Sequence, residues 1–269
     1  MSFVVTPLVT DTDAFVVRLN PVTKLAAGFV VMVGLLLTAD VLTPAILLAV
    51  ELLVVQASGI RWRQLATRAW PLGLAVAGLS LSTLLFTEDR SGPTVLELGG
   101  LVVTTGSLLA ALAISLRVIA IALPGILAFA TTDPTEFADA LVEHLRAPAR
   151  FTFGALAAFR LFPLLGDEWR TLMMARRARG IDAGRSPIRH LRLFGSAVFG
   201  LLVAAIRRGV RLAAAMDARG FGHRTHRTLA RPKPLRAADW TFMALSVAIT
   251  AAATLISMAA GTWRFFLWI

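Results

Sequence analysis

The 269-residue sequence contains no cysteine, and only 16% of its residues are charged. Without cysteine, the protein has no disulfide framework, no cysteine-ligated zinc site and no thiol nucleophile. Histidine is also scarce, with four in the whole chain. His223 and His226 lie among arginines, which would repel a metal ion, and no carboxylate completes a ligand set. We therefore expect neither a metal site nor a cofactor.

Apolar residues dominate what is present. They make up 57% of the sequence, and the mean hydropathy is +0.74. A soluble domain of this length carries far fewer apolar side chains, so lipid must cover much of this surface. We expect an all-α polytopic membrane protein. The net charge of +11 is expected to reflect membrane topology and contact with anionic membrane lipid, with no role in nucleic-acid binding.

Five apolar stretches predict five transmembrane helices, of which the second is long enough to cross about 30 Å of hydrocarbon and the fourth is longer than a bilayer needs. They are residues 25–39, 42–60, 70–87, a segment within 98–131, and 240–261. The first is preceded by Asn20 and Pro21, which suit the N-cap and the first helical position. The acidic segment 88–93 reads as a loop. Asp11 and Asp13 stand where a cleavable signal peptide would carry basic residues, so we expect no signal peptide.

The segment between the fourth and fifth spans is strongly basic. Residues 146–236 hold nineteen of the 27 lysines and arginines and only four acidic residues. The positive-inside rule places this segment and the N-terminus in the cytoplasm, in a protein of the plasma membrane. Residues 132–136 read as a helix start, and the short apolar stretch 193–206 as a helix lying in the membrane interface. The predicted domains are 1–132 with four spans, 133–236 cytoplasmic or interfacial, and 237–269 with the last span.

Two charged residues, Glu51 and Arg117, are predicted near the middle of the membrane. Charges at that depth are costly unless they are paired or hydrated. We expect Glu51 and Arg117 to face each other or to share a polar pocket. The alternative is that each bonds to backbone or hydroxyl groups in its own neighbourhood.

A motif in the basic segment occurs twice, forty residues apart. Each copy reads Leu-x-x-Ala-x-x-Ala-Arg-Gly. The copies are Leu172, Ala175, Ala178, Arg179 and Gly180, and Leu212, Ala215, Ala218, Arg219 and Gly220. The spacing predicts a helix with a stripe of small residues, along which another helix can approach, and an arginine at its C-terminal tip before a capping glycine. A single copy would be ordinary helix-end chemistry. Two copies favour a docking contact repeated on a pair of similar partner subunits.

The sequence resembles the transmembrane T component of energy-coupling factor transporters, which includes cobalt- and biotin-type membrane subunits. The resemblance covers nearly the whole chain and rests on five motifs. They are Leu19–Lys24, Thr131–Pro134, Phe159–Leu165 followed by Glu168, Ala178–Gly180 and Ala215–Phe221. The opening motif departs from the family, which usually has Asp and Arg where Asn20 and Val22 stand. Arg176-Arg177 precedes the first Ala-Arg-Gly, which leaves open which of Arg176, Arg177 and Arg179 makes the main contact.

The resemblance implies a coupling subunit of an ATP-driven importer for a vitamin or a transition-metal ion. Its two Ala-Arg-Gly signatures would end coupling helices that seat in grooves of two cytoplasmic ATP-binding-cassette ATPases. The membrane part would hold a substrate-binding S component. The chain itself has no G-x-x-x-x-G-K-[ST] loop to bind nucleotide phosphates, so we expect no enzyme activity and an energy supply from the partners.

Two other classes of function remain open from the residues alone. A membrane-embedded enzyme acting on a lipid or polyprenyl phosphate would use the basic face to hold the phosphate. Such chemistry usually needs clustered acids or a positioned base, and the basic segment offers four scattered acids. A channel or secondary transporter would show two related halves within the membrane, whereas the only repeat is in the basic segment.

Overall fold

The computed structural model describes residues 15–60, 62–87, 91–98, 101–181, 184, 186–221 and 232–263. Nearly all of these residues are helical. In chain order the elements are α1 Phe15–Arg18, α2 Pro21–Leu36, α3 Leu42–Ala57, α4 Trp62–Phe86, β1 Thr94–Leu98, β2 Leu101–Thr104, α5 Thr105–Ala130, α6 Pro134–His144, α7 Ala149–Ala178, α8 Pro187–Ala218 and α9 Ala237–Ala259. The predicted all-α membrane class is confirmed. His223, His226, Asp11, Asp13 and residues 88–90 lie outside the described residues.

The five predicted spans correspond to α2, α3, α4, α5 and α9. Among the described residues, four helices are long and apolar enough to cross a membrane, namely Ala69–Phe86 within α4, α5, α8 and α9. Helices α2 and α3 have 16 residues each, which gives about 24 Å, slightly less than the hydrocarbon core. The apolar stretch 193–206 lies inside the continuous 32-residue helix α8 and does not form a short helix of its own. Its interfacial position stays a prediction.

The fourth span, α5, lies within residues 98–131 as predicted. The strands before it were not predicted: they form an antiparallel pair, with Thr94 opposite Thr104 and Leu98 opposite Leu101. Gly99-Gly100 between the strands is typical of a hairpin turn, and Val102 and Val103 are β-branched residues that favour strands. Helix α5 begins only at Thr105, after Thr104 and Ser107 form a reciprocal capping box.

Contacts divide the chain into two compact units. The first, which we call the membrane unit, contains the described residues of 7–137 and 233–269, and the second contains those of 138–232. In the first unit, α2 packs against α5 and α9, α3 packs against the same two helices, and α4 packs against α5. Two apolar clusters form its core. They consist of Val31, Leu35, Leu47, Ala120 and Ala253, and of Val55, Ile60, Leu65, Leu123 and Leu127.

The second unit is built on α7 and α8 and has almost no core of its own. No residue of α7 is buried within the structure, and Ala197 is the one buried residue of α8. Large apolar side chains are instead exposed along both helices. Examples are Phe151, Phe162, Ile188, Leu191 and Phe199. A surface this apolar needs lipid or protein to cover it.

Helix α2 lies against α9 at a point where only glycine fits. A Cβ atom added to Gly34 would collide with Cγ2 of Thr250, a side chain that is itself buried. We predict that Gly34→Ala lowers the free energy of unfolding by about 1–3 kcal/mol, because the helices must separate to admit the methyl group. The matched control is Gly78→Ala on α4, where nothing lies within 4 Å of the added atom.

We expect the control to be neutral or to gain up to about 1 kcal/mol from the better helix propensity of alanine. Denaturant unfolding of both variants in the same mixed micelles measures the difference. Equal stability of the two variants would show that the contact between Gly34 and Thr250 is not tight.

The connection between α2 and α3 is fixed to α9 by the carboxylate of Asp40. Its Oδ2 accepts hydrogen bonds from the Thr43 amide and hydroxyl, at 2.8 Å each, and from the Ser257 hydroxyl at 2.5 Å. Burial alone would raise the pKa of Asp40, but these donors outweigh it and lower the pKa below its ordinary value. The ionised form therefore stabilises the folded protein.

A lowered pKa gives stability that is present above the unfolded-state value, about 4, and is lost as the pH falls through the folded-state value. We predict that the stability difference between wild type and Asp40→Asn is largest near neutral pH and shrinks between pH 5 and pH 3. Thermal unfolding of both proteins across this range measures it. A difference that stays constant with pH would contradict the ionised state of Asp40.

Candidate docking site at two helix ends

The two Ala-Arg-Gly signatures form helix ends of the same geometry. Arg179 terminates α7 with φ −88° and ψ 7°, and Arg219 terminates α8 with φ −88° and ψ 6°. The glycines that follow have φ of 74° at Gly180 and 73° at Gly220, in the left-handed region that disfavours any other residue. The repeat in sequence is therefore a repeat in structure.

Each end is closed by the same pair of backbone hydrogen bonds. Gly180 donates to the carbonyl of Arg177 at 2.9 Å and Ile181 to that of Arg176 at 3.0 Å. In the second copy Gly220 donates to Asp217 and Phe221 to Met216 at the same distances. This is the Schellman motif, in which glycine turns the chain away from the helix. The arginine before the glycine is thereby left at the outermost turn.

All six signature residues are solvent-exposed. Among the described residues, the side chains of Arg179 and Arg219 have no hydrogen-bond or ion-pair partner. A guanidinium with five donors and no partner is suited to a carboxylate or to carbonyl groups of another molecule. A cation near a helix C-terminus is also favoured by the helix dipole, so exposure alone does not establish docking.

Helices α7 and α8 run antiparallel. Near the C-terminal end of α7, Arg176 Nη1 donates to the Leu193 carbonyl at 2.8 Å and to the Ser196 hydroxyl at 3.0 Å, close to the start of α8. At the other end, the ring of Phe153 at the start of α7 meets that of Phe221, just after α8, with centroids 6.1 Å apart. The two arginine tips therefore lie at opposite ends of the pair. With 30 residues in α7, the pair is roughly 45 Å long.

Arg176 is therefore engaged within the unit. Sequence reasoning left Arg176, Arg177 and Arg179 as alternatives for the main contact, and the hydrogen bonds of Arg176 to α8 remove its guanidinium from the exposed tip. A second tie, which sequence reasoning missed, is the ion pair between Glu168 and Arg208, with Oε2 and Nη1 2.6 Å apart. Glu168 stands out as part of a family motif, but its spacing from Arg208 carries no signal.

The small-residue stripe of the repeat does not join α7 to α8. Ala175, Ala178, Ala215 and Ala218 are all exposed, and of the flanking leucines Leu172 is half-buried and Leu212 is 39% exposed. Other small residues line the cleft between the helices. They are Gly154, Ala157, Ala158, Ala205, Gly209 and Ala213. The two helices therefore approach each other along these other small residues, and the stripe of the repeat stays a predicted contact surface for a partner.

The predicted pair of Glu51 and Arg117 is not formed. Arg117 Nη2 donates to the carbonyl of Thr38, at the end of α2, and neither carboxylate oxygen of Glu51 has a hydrogen-bond partner among the described residues. The two side chains differ in depth. Helices α3 and α5 run parallel, and Leu47 of α3 and Ala120 of α5 belong to the same core cluster. Glu51 lies one turn beyond Leu47 and Arg117 one turn before Ala120, which separates them by roughly 10 Å along the helices.

Two of the family-like motifs meet in the membrane unit. The Nζ of Lys24 donates to the carbonyl and hydroxyl of Thr131, at 3.1 Å each, and to the hydroxyl of Thr132 at 3.4 Å. Asn20 caps α2 by accepting from the Val22 amide at 3.0 Å, as predicted. The backbone amide of Asn20 donates to Oδ1 of Asp239 on α9 at 2.7 Å. The opening motif therefore binds the end of α5 and the start of α9, although Asn20 departs from the usual family residue.

Comparison with known proteins identifies the family. The family described as cobalt transport protein matches residues 13–229. Three relatives are named energy-coupling factor transporter transmembrane protein EcfT. That of Lacticaseibacillus paracasei is 30% identical over 237 residues, covering 85% of this chain and 89% of the relative.

That of Limosilactobacillus fermentum is 29% identical over 251 residues, covering 88% of this chain and 91% of the relative. The Bacillus subtilis relative is 29% identical over 212 residues, covering 76% and 79%. The resemblance carried by the motifs is thus confirmed over most of the chain. The protein belongs to the cobalt transport protein family and is a membrane-embedded transporter subunit, the EcfT-type transmembrane component of an energy-coupling factor transporter.

Proposed function

We propose that this chain couples two cytoplasmic ATP-binding-cassette ATPases to a membrane-embedded S component that binds a micronutrient. The observation that carries the proposal is the pair of identical helix ends, Ala178–Gly180 and Ala218–Gly220, at opposite ends of an antiparallel helix pair. One asymmetric chain needs two copies of a contact to hold two similar subunits. The geometry supplies both copies on a single elongated unit.

The exposed arginines suit this contact. A guanidinium binds a carboxylate through two parallel hydrogen bonds or donates to several carbonyls, where a lysine would act as a point charge. Arg179 and Arg219 each project from the last turn of a helix, so a groove on a partner can receive the whole tip. The exposed alanines just before each arginine allow the walls of such a groove to approach the helix closely.

The helix pair is tied so that it can move as one body. Arg176 binds the backbone of α8 near one end, Glu168 pairs with Arg208 in the middle, and Phe153 packs against Phe221 at the other end. Movement imposed on either tip is then transmitted along the pair. Coupling at a distance requires a contiguous structure of this kind with two arrangements. In this proposal, ATP binding by the partners supplies the movement.

In this proposal, lipid and the S component pack against exposed apolar side chains of α4 and, separately, against those of α7 and α8. On α4 they include Leu74, Leu81 and Phe86. In this proposal residues 133–236 form the coupling region, and the N-terminus lies on the same cytoplasmic side. The transported substrate, a vitamin or a transition-metal ion, is selected by the S component. The chain contributes no catalytic residue.

Exchanging both tip arginines for glutamate should release the ATPases. We predict that Arg179→Glu with Arg219→Glu abolishes co-purification of the cassette ATPases of the same cell in mild detergent, because each tip then carries a charge of the wrong sign. The control is Arg170→Glu with Arg207→Glu, two exposed positions near the middle of the helix pair and away from both tips, which makes the same change in net charge.

Membrane insertion of both variants is checked by their yield in the membrane fraction. The control complex should survive. If the tip variant binds the ATPases as well as the control does, the two helix ends are ordinary caps and the coupling role fails. If the wild type retains no ATPase at all, an enzyme acting on a lipid or polyprenyl phosphate becomes the better proposal.

The single variants should separate the two contacts. We predict that Arg179→Glu and Arg219→Glu each leave a complex with one ATPase per chain, because the tips lie at opposite ends of the helix pair. Native mass spectrometry of the purified complexes counts the subunits. A single variant that loses both ATPases together would mean that the two contacts are not independent.

A further inference from the structure

The membrane unit contains a cavity that the coupling role does not use. It is partly open, has a volume of about 120 Å³, and lies between α2, α3, α5 and α9, with a mostly apolar lining. An engineered apolar cavity of roughly 150 Å³ holds benzene, so this one suits a molecule of about six heavy atoms. Its walls include Val31, Leu47, Val54 and Leu127.

One acidic side chain, that of Glu51, lines this cavity. Glu51 is 9% exposed, and both carboxylate oxygens are buried without a hydrogen-bond partner among the described residues. A buried charge without a partner is costly in a protein interior, and more so in a membrane. Such a residue in a transmembrane segment usually marks a site for a ligand or an ion.

The other polar groups of the lining offer acceptors and no free donors. Lys24 directs its ammonium to three oxygens of Thr131 and Thr132, which uses its three protons. The Ser246 hydroxyl donates to the Met243 carbonyl and the Thr250 hydroxyl to that of Ser246, at 2.8 Å each. Both hydroxyl oxygens keep lone pairs. A ligand that satisfies this cavity must therefore bring hydrogen-bond donors.

We propose that this cavity binds a small organic ammonium ion with an apolar body of about five carbon atoms, its ammonium group paired with the carboxylate of Glu51. A primary ammonium supplies three donors and the opposite charge, and the carbon body fills the apolar walls. A bare metal cation would need several oxygen ligands, whereas the lining offers one carboxylate and two hydroxyls. The proposal is independent of the coupling role, because it uses no residue of the tip helices.

The test compares three probes of the same ring size with the full-length protein in lipid nanodiscs at pH 7.5. Cyclopentylammonium has donors and positive charge, cyclopentanol is neutral, and cyclopentanecarboxylate is negative and would prefer Lys24. Binding is followed by saturation-transfer NMR titration, with empty nanodiscs subtracted for partition into lipid. We expect saturable binding of the ammonium at least tenfold tighter than that of either other probe.

Three variants locate the site. Glu51→Gln should remove the preference for the ammonium, and Val54→Phe should abolish its binding by filling the cavity with the charge unchanged. Glu143→Gln, which makes the same charge change outside the cavity, should bind as the wild type does. If Glu51→Gln fails to fold, Val54→Phe decides the question.

Several results would overturn the proposal. They are the absence of saturable ammonium binding to the wild type, binding of the alcohol or the carboxylate as tight as that of the ammonium, a preference that persists in Glu51→Gln, and ammonium binding that survives Val54→Phe. None of them bears on ATPase docking, which the tip variants test separately.

Discussion

Hydrogen bonds that close helix ends against one another hold the membrane unit together. Lipid offers no partner for an exposed amide or carbonyl, so each polar group at a helix end must find one in the protein. Asn20 and Lys24 provide such partners at the starts of α2 and α9 and at the end of α5. Asn20 caps α2 and bonds to Asp239, while the ammonium of Lys24 donates to the carbonyl of Thr131 at the end of α5. Asp40 and Ser257 join α2, α3 and α9 where the connection between α2 and α3 lies. The apolar clusters between these two sets of hydrogen bonds bury apolar surface, and the hydrogen bonds fix how the helices are aligned along one another.

Much of the architecture was predictable because its causes are local. A run of apolar residues long enough for a bilayer, an asparagine and a proline at a helix start, and an arginine and a glycine at a helix end each act within a few residues. Asn20 and Gly180 therefore do what their sequence context indicates. The strand pair at 94–104 was missed for the opposite reason. Its residues are as apolar as a helical span, and only the two glycines and the β-branched residues around them distinguish a hairpin from the beginning of α5.

Pairing between distant side chains was not predictable. Glu51 and Arg117 have the right charges and a similar apparent depth, but depth counted from the ends of an apolar stretch is uncertain by a turn or more. In the structure, Arg117 bonds to the carbonyl of Thr38 instead. In the second unit, Glu168 and Arg208 are 40 positions apart in the sequence, and no pattern around either residue predicts their ion pair. The antiparallel direction of α7 and α8 decides which small residues meet, and the repeat alone does not contain that direction.

The lack of buried residues in α7 and α8 makes the stability of that unit depend on its surroundings. A helix pair with one buried alanine gains little from its own packing, whereas a ligand or neighbour that binds only the folded form stabilises it in proportion to the logarithm of its concentration. Whatever covers these helices, whether lipid or protein, thus enters the folding equilibrium as a reactant. In a cell that makes too little of such a neighbour, the helix pair would be the first part of the chain to open and the first to meet a protease.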